Sequence, residues 1–371
     1  MKAAPVAEPA RERTGRLRPG ALFYPAAAIQ GAIVLSWSVA AMTGTAAAPA
    51  ALATPIGHAR EMLLGYGLAV VAGNQLPAQA RWRVLALFAV WLAARIAFVA
   101  APAMPGLFDV AFAGALAWQV APRLVRAAKK LRNYALPASI AGLAVAGIVL
   151  VVAPSGAGAH RAATVMVLMF AALMLFMGGR IIAPAAAGQL YRQGESLVAR
   201  VQPRIEGAIL IFVAVAIVAF AVSFEAIARL ACIVAGLLAF ARLLRWRLWR
   251  CRERADLLCF GLGYAWLAVG LVAIGAAPSE WLVAVQHFVT VGALGTLTFN
   301  VMAASALPKV DHVPVRQGWL VTGTLLIAVA TALRVMAALP QAPRVEMLFA
   351  AAAYWSAALA LLAWMLLVRS R

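Results

Sequence analysis

Apolar segments of about 20 residues, nearly free of charge, recur from one end of this chain to the other and constrain its fold more than any other feature. A segment of that length crosses the hydrocarbon core of a bilayer as one α-helix. A β-barrel would instead show segments of about ten residues in which polar and apolar side chains alternate, and that pattern is missing. Composition agrees, since 65% of the residues are hydrophobic and the mean hydropathy is +0.93, whereas a soluble domain is roughly half apolar. The expected fold class is all-α, a polytopic membrane helix bundle. The longest polar stretches are the basic segment 1–20 and connectors of about ten to fifteen residues. Residues 21–371 therefore read as a single transmembrane domain.

The apolar segments predict twelve spans, near 21–44, 58–78, 84–102, 104–122, 134–153, 162–188, 205–223, 225–241, 257–276, 280–306, 318–339 and 345–368. Charge tests the count. Assigned to alternating sides, 25 of the 32 lysines and arginines fall on the side of the N-terminus. Only Arg60, Arg161 and Arg344 fall on the other side, and Arg95, Arg180, Arg229 and Arg334 lie within spans. By the positive-inside rule both termini are cytoplasmic. The net charge of +20 is thereby explained by topology, and no nucleic-acid partner is implied. The basic N-terminus before an apolar run has the order of a signal peptide, but the run is too long for one. Cys232, Cys251 and Cys259 have no metal-ligand spacing and suggest no disulfide framework.

Ionisable residues inside apolar segments are costly and need a reason. In Gly57-His58-Ala59-Arg60-Glu61-Met62, at the start of the second span, three of them fall within one turn. His58, Glu61 and Met62 are spaced to share a helix face. The other histidine in an apolar run is His287 on the tenth span, followed by Thr290, Leu294 and Thr298 at helical spacing. The topology puts both histidines in the outer third, together with Arg95, Asp109 and Arg334. Two helices meeting at a polar outer site are expected. A neutral imidazole can ligate a metal, with a carboxylate such as Glu61 orienting it. The plainer reading has His58 at a helix end, Glu61 paired to Arg60 or Arg95, and the threonine hydroxyls bonded to their own helix. Gly178-Gly179-Arg180 ends the apolar core of the sixth span, where Arg180 either clamps an anionic group or snorkels to the headgroups.

These stretches together resemble the NnrS family of bacterial inner-membrane proteins. The matching residues are His58-Ala59-Arg60-Glu61-Met62-Leu63-Leu64-Gly65-Tyr66, Gly178-Gly179-Arg180-Ile181-Ile182, Leu262-Gly263-Tyr264-Ala265-Trp266-Leu267, and the run from His287 to Thr298. The resemblance implies haem and copper as cofactors and a role in the response to nitric oxide or nitrosative stress. It points to His58 and His287 as metal ligands, Glu61 as a partner of an imidazole, and Arg180 as a partner of an acidic group. Where the family often carries further histidines, this chain has Arg60 and Gly261. Two other classes remain open: a secondary transporter with an outward polar pocket, and a cofactor-less relative with a structural role.

Overall fold

The computed structural model describes residues 15–100, 106–153, 156–310, 313–314 and 317–368. Of the lysines and arginines counted on the N-terminal side, Lys2, Arg11, Arg13, Arg316, Arg369 and Arg371 lie outside these ranges. Among the described residues, twelve helical rods follow one another. They are α1 (Gly20–Met42), α2 (Pro55–Arg60, Glu61–Gly67 and Leu68–Gln75), α3 (Arg81–Ala100), α4 (Leu107–Ala127), α5 (Ala135–Val152) and α6 (Ala157–Arg192). Then come α7 (Pro203–Ala221), α8 (Glu225–Arg245), α9 (Ala255–Ala276), α10 (Leu282–His287, Phe288–Gly295 and Thr296–Ala306), α11 (Gly318–Met336) and α12 (Arg344–Val368). Ten of them are long and apolar enough to cross a membrane; the other two rods are α2 and α4, which carry Glu61 and Asp109. The protein is a multi-pass membrane helix bundle, as expected.

Helix ends follow local capping rather than hydropathy. At the start of α2, Thr54 Oγ1 accepts the Gly57 N–H at 3.0 Å, with Pro55 at the first helical position. The sixth span was expected to stop at 188, but α6 runs 36 residues, about 54 Å. It ends where Gly194 adopts φ +77 and the Glu195 and Gly194 N–H groups bond back to Leu190 and Tyr191, a Schellman closure that needs no apolar side chain. Apolar side chains mark the bilayer, and caps mark the helix.

Sequential rods pack as hairpins, α4 with α5, α5 with α6, α7 with α8, α8 with α9, and α11 with α12. The last rod returns to the first, α12 lying along α1. There Trp355 Nε1 donates to the Gly31 carbonyl at 3.0 Å. The α6 rod is the most enclosed, 72% of its apolar window being buried, and α10 packs on α9, α6, α11 and α12. A short antiparallel pairing of Arg16–Leu17 with Gln79–Ala80 places the N-terminal region and the α2–α3 turn at one end. That end carries most of the arginines and is called inner here.

Candidate functional site

Two rods depart from α geometry, and they are the two that carry the buried-span histidines. In α2 the segment Glu61–Gly67 is π-helical, and in α10 so is Phe288–Gly295. Such segments are rare and concentrate at functional sites. Non-α backbone at membrane depth requires neighbours that satisfy its polar groups. In α2, the Gly65 carbonyl accepts from Trp91 Nε1 of α3 at 2.9 Å, and the Glu61 carbonyl accepts from Gln30 Nε2 of α1 at 3.1 Å. The two rods are tied by a 2.6 Å hydrogen bond between Tyr66 Oη and Thr298 Oγ1. The expected meeting of the second and tenth helices is therefore present.

Outer charged residues of three rods form one ion-pair network. Arg60 donates to Asp109 Oδ2 through Nε at 2.8 Å and Nη2 at 2.7 Å. Arg95 bonds Asp109 Oδ1 and lies 2.9 Å from Glu61 Oε2, which also accepts from Gln30 Nε2 at 3.3 Å. Glu61 and Asp109 are each 2% exposed, so the pairing is buried. Two guanidinium and two carboxylate groups balance within it. The α2 glycine at 65 makes room for it, because a Cβ there would lie 2.3 Å from Arg95 Nη1.

A second cluster sits beside this network. His58 and His287 lie within each other's electrostatic reach, and Arg334 of α11 acts on both. All three are partly buried. His287 Nδ1 is 2.7 Å from the Val283 carbonyl; a carbonyl only accepts, so Nδ1 carries a proton, and in the neutral ring Nε2 keeps a lone pair. His58 Nδ1 is buried without a hydrogen-bond partner. No carboxylate pairs with Arg334 among the described residues, and its other charged neighbour is the cationic Arg344. Phe288, stacked on Trp266 with ring centroids 5.6 Å apart, adjoins His287 in sequence.

A family model described as NnrS protein matches residues 21–370. The chain belongs to the NnrS family. No curated protein matches it.

The stretches through which the chain resembles NnrS proteins interlock. Gly178 lets the Tyr264 ring approach to 2.7 Å of where a Cβ would stand, and Gly179 likewise admits Arg242 to 2.1 Å. Arg242, read from sequence as part of a topological anchor, is 4% exposed. It donates to the Leu175 carbonyl at 3.1 Å, lies over the Trp246 ring and pairs with Glu206 at 3.7 Å. Its signal in the sequence was the glycine pair, which marks the approach of a large neighbour. Gly292 of α10 does the same for Trp266, 2.8 Å from a Cβ.

Placement of the remaining expected residues is uneven. Glu61 bonds Gln30 and pairs with Arg95, and it makes no hydrogen bond to His58, as the plainer reading had it. Thr290 and Thr298 bond back to the carbonyls of Gln286 and Leu294, also the plainer reading, with Thr298 taking Tyr66 in addition. Arg180 is exposed on the inner half of α6, bonded to Asn133 Oδ1 at 2.5 Å and lying 4.5 Å over Phe176. It shares no site with the histidines. Arg334 is the guanidinium that does. The two departures from the family pattern are also accounted for locally. Arg60 is held by Asp109, and Gly261 faces Leu248 near the inner end of α9, where a Cβ would stand 2.6 Å from that side chain. Asn300, buried, clamps α10 to α11 through Thr324 Oγ1 at 2.9 Å. His160 is exposed, its Nδ1 donating to the Gly156 carbonyl. All three cysteines are free and buried; outside the spans, burial pushes the Cys251 thiol up against a smaller pull from Arg254, so it stays protonated.

Proposed function

We propose that this NnrS-family protein sits in the bacterial cytoplasmic membrane, binds haem at its outer end through His58 and His287, and serves in the response to nitric oxide. The observation that carries the reading is the pair of imidazoles brought together by two π-helical rods, with one nitrogen of His58 unpartnered and Nε2 of His287 free to ligate. Unpartnered imidazole nitrogens of this kind would hold a haem iron. Arg334 offers an uncompensated positive charge for an acidic group of the ligand, the role first considered for Arg180. The residues present therefore fit a haem. They fit copper less well: among the described residues no group of three or more His, Cys, Asp or Glu is placed to hold a metal ion, which leaves copper two imidazoles alone.

When bound, a haem would supply an iron that exchanges an electron and would take nitric oxide in exchange for one of the two imidazoles. The chain's own contribution is to hold two neutral imidazoles, the His287 tautomer being set by the Val283 carbonyl. The α2 and α10 backbones keep them in place through the Tyr66–Thr298 bond. The test is the absorption spectrum of the protein purified from haem-replete cells, oxidised and reduced, beside His58→Ala and His287→Ala. A Soret band in the parent that is lost or shifted in both variants is the expected result. A folded, haem-replete parent with no Soret band would overturn the reading and favour transport or a structural role.

A further inference from the structure

Between α2, α6, α9 and α10, toward the inner end, lies a cleft of about 650 Å³ of empty space, its mouth included. We propose that it binds the ring of a membrane-soluble isoprenoid quinone. The proposal stands on this cleft alone and does not depend on haem at the outer end.

The lining dictates the class of ligand. Every residue around the cleft is uncharged, so an anionic headgroup, a propionate or a cation would enter without a partner, at a cost of several kcal/mol. The occupant is neutral. The walls are of a kind that receives a flat ring: Phe170 and Phe260 supply aromatic faces, and Met174 and Met177 supply polarisable thioethers. Gly67, the last residue of the α2 π-helix, lets the Phe170 ring come within 2.5 Å of where a Cβ would stand. That close packing is what turns Phe170 into the wall.

Two of the three polar lining residues stand at one end. Asn74 and Gln75 close α2 at the inner surface, Asn74 being exposed. Gln75 Nε2 donates to Asn74 Oδ1 at 2.7 Å, and its other contact is the Met177 sulfur at 3.9 Å. Sulfur is a weak acceptor; a quinone carbonyl in its place would take that donor well. Deeper in, Thr298 Oγ1 borders the cleft where it meets Tyr66. An apolar body with hydrogen-bond acceptors on its ring matches this arrangement. A bare acyl chain would leave the amide donor on sulfur.

The test is direct binding of decylubiquinone to the full chain in detergent, read by thermal stabilisation and calorimetry on protein made in haem-limited cells, so that the outcome is separable from the haem reading. Decanol, which has the tail without the ring, is the control. Saturable stabilisation by the quinone and not by decanol is expected. Val301→Trp, which fills the half-buried lining, should abolish it, and Gln75→Leu should weaken it by about fivefold, the loss of one hydrogen bond. No saturable binding to folded parent protein would overturn the proposal. So would equal stabilisation by decanol, or unchanged affinity in both variants.

Discussion

Two polar clusters lie side by side at the outer end of this bundle and share α2, yet they differ in one respect. In the first, Arg60 and Arg95 face Asp109 and Glu61, and charge balances inside the protein. In the second, His58 and His287 face Arg334 with no carboxylate among the described residues. A buried network whose charges balance leaves no net charge for a ligand to meet, although Glu61 Oε1 and Arg95 Nε lack hydrogen-bond partners; it fixes the relative positions of α2, α3 and α4. A cluster of three basic groups that is incomplete exposes lone pairs and a positive charge to whatever binds there. Burial of polar groups alone does not separate a structural cluster from a ligand site, whereas charge balance does.

The comparison is most easily broken at Asp109. Asp109→Asn takes its carboxylate partner from Arg60 and leaves Arg95 with Glu61 alone, and removing one partner of a buried pair costs about 3–5 kcal/mol. The expected outcome is a large drop in thermal midpoint, or failure to accumulate folded protein, while His58→Ala stays near the parent midpoint. Equal midpoints for both variants would show that the network is not a structural clamp. A smaller version of the same test is Gly65→Ala. Its Cβ would meet Arg95 Nη1 at 2.3 Å and Gln30 Nε2 at 2.6 Å, so both side chains must swing away from Glu61. Overpacking of this kind costs about 1–3 kcal/mol, and the same denaturation experiment reads it.

Arg334→Gln sharpens the contrast because the sign reverses. Taking a charge from the incomplete cluster relieves an unpaired, partly buried cation, so haem-free protein should gain on the order of 1 kcal/mol of stability. If the haem reading holds, the same variant should retain haem about tenfold less well, the loss of a charge-assisted contact. Arg180→Gln, on the inner half of α6, should leave both quantities alone. Destabilisation of the haem-free chain by Arg334→Gln would mean that Arg334 has a partner within the protein.

Much of this was legible because a bilayer makes sequence patterns physically strict. Hydropathy and the sidedness of arginine gave twelve rods, and the cost of ionisable groups in apolar runs singled out His58, Glu61, Arg95, Asp109, His287 and Arg334 as one outer cluster. What the pattern lacks is rotation about each helix axis. Arg180 and Arg334 look alike as lone arginines in apolar segments, and only packing shows that one meets Asn133 and Phe176 while the other lies within electrostatic reach of two imidazoles. The π-helical turns were not legible either. The one in α2 has its carbonyls satisfied by Gln30 and Trp91, donors carried by other helices, and no local spacing announces it.

The finest distinction concerns the joint between the two π-helical rods. Tyr66 is buried, its ring packed edge-on to Trp355 at 5.8 Å, and its hydroxyl meets Thr298 at 2.6 Å. Tyr66→Phe keeps the ring contacts and removes one neutral hydrogen bond, which is worth about 1 kcal/mol. Thr298 is not stranded by the change, since its hydroxyl already donates to the Leu294 carbonyl. A small fall in thermal midpoint is therefore expected, well below that of Asp109→Asn. If the bond also holds α2 against α10, the variant should broaden or shift the haem spectrum of the loaded protein while leaving the ion-pair network intact. A spectrum identical to the parent would show instead that the ring packing against Trp355, and not the hydroxyl pair, keeps the imidazoles together.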